Sequence, residues 1–161
     1  MTDERLACLE QILRERGETV TTAESCTGGM VAARLTDISG SSDVFRQGFV
    51  TYCDEAKHQL LGVSSETLKT HTAVSAETAE EMARGSALHS GSEASLSVTG
   101  YAGPASPEDP DAGLVYIGCY YLGSVKVDEC HFTGSRIEVR MQARDHALEM
   151  LDEALSEKRR P

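Results

Sequence analysis

The order of elements legible in this sequence predicts an α/β fold, with a mixed, mostly parallel central sheet covered by helices on both faces. Three observations predict it. Segments with apolar residues at helical spacing alternate with strand candidates rich in Thr, Val or Ser through the first two thirds of the chain. A β-hairpin pattern closes the last third. The chain of 161 residues is long enough for one domain with a real core and too short for two ordinary ones, so residues 1–161 are read as a single domain.

Taken in order, Leu6, Leu9, Ile12 and Leu13 predict an amphipathic helix over residues 3–16, between a Thr2 cap and Gly17. Residues 18–23 predict a strand, and Met30, Val31, Ala32, Leu35 and Ile38 predict a helix over about residues 27–37. Ser39 to Ser42 reads as a loop. Gly48 to Cys53 is the next strand, with Asp54 placed to cap a short helix that reaches Leu61. Residues 65–70 suggest a helical turn. Ser75 caps a longer helix to about residue 90, whose small residues favour close packing before Gly91 ends it. Ala94, Leu96 and Val98 alternate with serines in a half-buried or central strand that runs into Thr99-Gly100-Tyr101-Ala102-Gly103-Pro104. The stretch from Ala105 to Asp111 is a loop, with Glu108, Asp109 and Asp111 solvated. Strands over about 113–121 and 124–132 flank a turn at Gly123-Ser124. A last helix carries a Ser135/Glu138 capping box and a buried stripe of Ile137, Met141, Leu148, Leu151 and Leu155. Residues after Ser156 read as a frayed, charged tail.

Acidic residues outnumber basic ones 26 to 15, for a formal net charge of -11, which opposes binding to nucleic acid or to an anionic membrane. A local basic pocket for one small phosphate is still compatible with that field. No apolar run is long enough to span a bilayer and Met1 to Arg5 carries no signal-peptide pattern, so a cytosolic protein is expected. Cys8, Cys26, Cys53, Cys119 and Cys130 are widely spaced and include no Cys-x-x-Cys pair. Neither a disulfide framework nor a metal site is encoded in them, and reduced thiols are expected. The sequence leaves the oligomeric state open, a homodimer included.

The chemistry concentrates at Thr21-Thr22-Ala23-Glu24-Ser25-Cys26-Thr27-Gly28-Gly29, where a strand passes directly into a helix. First-turn amides of a helix have no partner within it, so they can hold a phosphate or an oxyanion beside Ser25. The plainer alternative makes Ser25 or Thr27 an N-cap and gives the glycines to helix–sheet contact. If the strands run parallel, the Ser25 turn, Tyr52 and the Thr99 turn all fall at their carboxyl ends, where α/β sheets bind ligands. No histidine lies near Ser25 in the sequence. Lys57 can act as its base only if burial or a positive field depresses the amine's pKa; otherwise it is a solvated surface charge. Tyr52 can relay a proton or orient that amine, or simply pack. Cys26 is either an activated thiolate or an inert buried thiol.

The ordered set of Thr22 to Gly29, Gly40-Ser41-Ser42 with Phe45, Gly48 to Tyr52, Ala56-Lys57, Gly62-Val63, Ala73-Val74-Ser75 and Gly100 to Pro104 resembles the C-terminal domain of the competence/damage-inducible CinA proteins, also found as stand-alone nicotinamide-nucleotide amidohydrolases. The resemblance spans nearly the whole chain. It implies a three-layer α/β/α sandwich and hydrolysis of the carboxamide of nicotinamide mononucleotide to nicotinate mononucleotide and ammonia, with no metal and no organic cofactor. It aligns Ser25 with the nucleophile and Tyr52 and Lys57 with its partners. Substrate contacts are expected from Cys26, Thr27, Gly28, Gly29, Thr99, Gly100, Gly103 and Arg136. Larger relatives carry an N-terminal domain similar to molybdopterin-binding proteins, for which this chain has no room. Two segments depart from the family pattern: the loop after Pro104 is acidic and lacks the usual lysine, and Gly134-Ser135-Arg136 keeps the arginine of a Gly-Asp-Arg segment but loses its carboxylate. The alternative functions are a nucleotide-binding or regulatory module that uses the same turn without turnover, and an interaction domain for a partner protein.

Overall fold

A computed structural model describes residues 1–107 and 110–157. Helices α1 (Asp3–Arg16), α2 (Met30–Leu35), α3 (Asp54–Leu61), α4 (Ser65–His71), α5 (Ala76–Ser90) and α6 (Arg136–Glu157) surround a five-stranded sheet. Its strands are β1 (Val20–Glu24), β2 (Phe49–Val50), β3 (Ala94–Gly100), β4 (Leu114–Tyr121) and β5 (Ser124–His131), in the spatial order β2-β1-β3-β4-β5. β1 is parallel to β2 and β3, whereas β4 pairs antiparallel with β3 and β5 antiparallel with β4. The sheet is therefore mixed, with its parallel part around β1, and the fold is the three-layer α/β/α arrangement.

Helices α1, α2 and α6 cover one face. Their Leu6, Leu9, Leu13, Val31, Leu35, Val139, Leu148 and Leu151 form one core with Leu96, Val98, Val115 and Ile117 of the sheet. On the other face α5 lies against the sheet, and a smaller cluster joins Ala23, Leu61, Val63 and Met82. β3 shows why the second layer can sit so close. It is a central strand whose serines are buried, not solvated. Because successive side chains point to opposite faces, Ala94, Leu96 and Val98 enter the first core while Ser95, Ser97 and Thr99 face the opposite layer. Ser95 shares a hydrogen bond with Ser86 Oγ at 2.6 Å, and Ser97 and Thr99 donate to Ala79 O and Ala73 O, each at 2.6 Å. A side chain at Gly118, beside Ser97, would bring its Cβ to 2.5 Å from Ser97 Oγ and 3.0 Å from Ala79 O. That glycine and the small residues of α5 let the two layers meet through hydroxyls.

Several expected boundaries move. The helix expected over about 27–37 is the shorter α2, because residues 26–29 form turns in which Gly28 and Gly29 take φ of 59° and 103°. Cys53, not Asp54, precedes the first turn of α3, and no side chain caps it. The hairpin turn is Leu122-Gly123, both left-handed, since Ser124 already pairs with Tyr121. In α6 the Glu138 carboxylate accepts from Ser135 N–H at 2.7 Å, which is one half of the expected capping box. Ile137 and Met141 are 50% and 42% exposed. Leu148, Leu151 and Leu155 are buried as expected, but in the first half of the helix the buried stripe runs through Val139, Ala143 and Ala147, two residues out of phase with Ile137 and Met141. At about 100° per residue, that offset turns Ile137 and Met141 away from the sheet. Of the acidic loop, Asp111 is exposed while Glu108 and Asp109 lie outside the described residues, as does the expected tail from Lys158 onward. No described helix is long and apolar enough to cross a membrane.

Candidate active site

The carboxyl ends of the three parallel strands converge, as their register requires. Ser25 N–H donates to Val98 O and Thr51 N–H to Glu24 O, both at 2.8 Å, so the residues leaving β1, β2 and β3 are held side by side. Alternation along β1 then divides the labour. Ala23 points into the cluster shared with α3 and α5, and Ser25, two residues on, continues on that side. Glu24 points the other way, towards α2. Its buried carboxylate accepts from the amides of Gly29 at 3.1 Å, Val31 at 3.0 Å and Ala32 at 2.8 Å. The start of α2 is thus capped by protein, and its first N–H groups are not the open anion site that the sequence suggested.

The turn itself offers something else. Gly28 N–H donates to Ser25 O at 3.0 Å and Met30 N–H to Thr27 O at 3.2 Å. Neither the amide of Cys26 nor that of Thr27 donates to another residue among those described. These are the two amides that follow Ser25. Of the backbone contacts expected from Cys26, Thr27, Gly28 and Gly29, only the first two therefore involve amides not taken by another residue among those described.

Lys57 reaches Ser25 from the far side. On α3 it shares the buried stripe with Leu61, one turn away, and only 1% of it is exposed. Its Nζ lies 3.0 Å from Ser25 Oγ and donates to Thr51 O at 2.8 Å. Solvated surface charge is not its role. Burial lowers the pKa of the amine, partly opposed by the nearby Asp54, Cys53 and Cys26. A neutral amine in this position can donate to Thr51 O and turn its lone pair to the Ser25 hydroxyl. Cys26, by contrast, is pushed up to about 11 by burial, against the pull of Arg136, Arg140 and Lys57, which keeps it a neutral thiol.

The remaining expected residues divide. Tyr52 is 60% exposed, and its hydroxyl accepts from Arg136 Nη2 at 2.9 Å, so it stands on the rim and does not touch the lysine amine. The neighbouring Thr51 carbonyl orients the amine instead. Arg136 Nη1 also donates to Gly103 O at 2.8 Å, which joins the start of α6 to the loop after β3. Thr99 and Gly100 are taken up by packing: the Thr99 hydroxyl is bonded to Ala73 O, and a Cβ on Gly100 would come within 2.6 Å of Leu114 O. Two residues escaped the sequence reading, Glu24 and Arg140. Arg140 Nε donates to Cys26 O at 3.0 Å and its Nη2 to Thr27 O at 3.1 Å. Its spacing of four from Arg136 was the available signal, since that places both guanidiniums on one side of α6.

The family model of the CinA C-terminal domain matches residues 3–155. This chain belongs to that family. A CinA-like protein of Kosmotoga olearia is 46% identical over 89% of this chain, and a putative competence-damage inducible protein of Clostridium beijerinckii is 48% identical over 88%. This chain matches only 35% of the length of each of these relatives. Among solved structures, a CinA superfamily protein of Klebsiella pneumoniae superposes with a TM-score of 0.90 at 37% identity, covering 96% of this chain and 97% of that one. The competence/damage inducible protein CihA of Agrobacterium tumefaciens gives 0.88 at 42% identity, covering 95% and 94%. The CinA fold and the three-layer architecture thus agree.

Proposed function

We propose that this CinA-family domain is a serine amidohydrolase that removes ammonia from the carboxamide of nicotinamide mononucleotide. The observation that carries the reading is the buried Lys57 amine 3.0 Å from Ser25 Oγ, beside two backbone amides, of Cys26 and Thr27, that no other described residue accepts from. In the first half-reaction Ser25 Oγ attacks the carboxamide carbon as its proton passes to Lys57 Nζ. The carbonyl π pair moves onto oxygen, where the amides of Cys26 and Thr27 receive the charge. Collapse of that intermediate breaks the C–N bond, and Lys57 returns the proton to the departing nitrogen, which leaves as ammonia. Water then attacks the ester as it gives a proton to Lys57, and when the C–Oγ bond breaks Lys57 passes that proton to Oγ, which restores both residues and releases the acid to ionise as the carboxylate. The chemistry asks for no metal or cofactor. Arg136, exposed and anchored to Tyr52 and Gly103, is suited to the phosphate of the nucleotide.

Incubation with nicotinamide mononucleotide should release ammonia and nicotinate mononucleotide in equal amounts, and Ser25→Ala should abolish both. Calorimetric binding of the nucleotide with no ammonia would replace this reading by that of a nucleotide-binding module. Undiminished ammonia release from Ser25→Ala would remove the nucleophile.

A further inference from the structure

We infer that Arg140 is a positioning residue that aims the Thr27 amide at the oxyanion. The inference rests on the amidohydrolase reading of Ser25 and assigns a role within it. Cys26 C=O and Thr27 N–H belong to one planar trans peptide, so the direction of the carbonyl fixes the opposite direction of the N–H. Arg140 Nε, at 3.0 Å, is the one donor that Cys26 O meets among the described residues. Thr27 O differs, because it is also held by Met30 N–H at 3.2 Å. Removing the guanidinium therefore releases one peptide in particular, and that peptide carries the amide left without a protein acceptor.

Two further features fit. The guanidinium is packed against the turn: a Cβ on Gly28 would lie 3.5 Å from Arg140 Nη2. It also has no carboxylate partner among the described residues, although the chain holds 26 acidic residues. Its positive charge is spent on the two carbonyls and strengthens Thr27 N–H as a donor through the shared peptide. Arg136, one turn earlier, faces the rim; Arg140 acts beneath it, through the backbone.

The test compares the wild type with Arg140→Met, Arg140→Lys and Arg140→Ala in full steady-state assays of nicotinamide mononucleotide hydrolysis. Loss of one aimed oxyanion donor should lower kcat of Arg140→Met by about 10²–10³-fold with KM unchanged. Arg140→Lys, which keeps the charge but not the planar fork, should recover part of that loss. Millimolar guanidinium should raise kcat of Arg140→Ala, a response that misfolded protein would not give. Unchanged kcat in Arg140→Met, or a raised KM at constant kcat, would overturn the inference.

A second readout separates the role of Arg140 from the identity of the substrate. A fluorophosphonate probe forms an Oγ–P bond at Ser25 as fluoride leaves and Lys57 takes the hydroxyl proton, and its rate is read by intact mass. Labelling that slows in Arg140→Met, in a wild type that hydrolyses no carboxamide, would sink the amidase reading and keep the inference. Equal labelling of the two proteins would sink the inference alone. A wild type that is neither labelled nor active would remove both.

Discussion

Lys57 on α3 and Glu10 on α1 are both turned into the protein by their helices, at 1% and 0% exposure, and burial moves both towards neutrality. It lowers the lysine and raises Glu10 to about 7, with Arg14 pulling the latter back. The two regions then differ in everything else. Lys57 Nζ meets Ser25 Oγ and Thr51 O, whereas neither Glu10 oxygen meets a donor among the described residues. Glu24, buried as deeply as Glu10, gives its carboxylate to three amides of α2. A shifted pKa therefore marks only that a charge has been taken out of water. Convergence of a second reactive group and open donors marks a site.

That distinction is broken or kept most directly by activity. Lys57→Met should lower the rate of ammonia release by about 10²–10⁴-fold, the range for losing a general base, while Glu10→Gln should leave it unchanged. Equal losses in the two variants would mean that burial, and not contact with Ser25, was the property that mattered. The pH dependence sharpens the point. Only the neutral amine accepts the Ser25 proton, so log kcat/KM should rise with unit slope as pH climbs to the depressed pKa of Lys57 and then level off. Glu10→Gln should leave that limb where it is; a limb that moved with Glu10 would tie the two regions together.

The same contrast explains what could be seen beforehand. The strand-to-turn passage at Ser25 and the alternation of strands with helices were legible because local pattern sets them, and the meeting of Ser25 with the ends of β2 and β3 followed from parallel strands alone. The partner of the lysine was not. Nothing local distinguishes the hydroxyl of Tyr52 from the carbonyl of Thr51, and only the tertiary path of the chain after β2 puts Thr51 O within 2.8 Å of Nζ. Glu24 shows the same limit: a carboxylate at the end of a strand can face ligand or helix, and the turn at Gly28 and Gly29 decides for the helix. Ile137 and Met141 were misplaced because the first turns of α6 present Val139 and Ala143 to the sheet, which leaves an apolar residue two positions away facing outward. Arg136, bonded to Tyr52 and Gly103, and Arg140, bonded to the turn, set the rotation of that end of the helix.

The smallest expected effect concerns stability, and the two groups give it opposite signs. For Glu10 the folded pKa of about 7 lies above the ordinary value of 4.5, so between them the native state holds the extra proton and stability falls as pH rises. For Lys57 the folded pKa lies below the ordinary value, the unfolded state holds the extra proton, and stability rises with pH from the folded pKa towards about 10.4. Urea unfolding of the wild type and Glu10→Gln at about pH 5 and about pH 8 isolates the first slope. The wild type should lose on the order of 2 kcal/mol relative to the variant over that interval, since a tenfold change in proton affinity on folding is worth about 1.4 kcal/mol and part of the change is complete by about pH 5. A difference between the two proteins that did not change with pH would place Glu10 in contact with water or a donor, and would separate it from Lys57, whose amine is perturbed by burial.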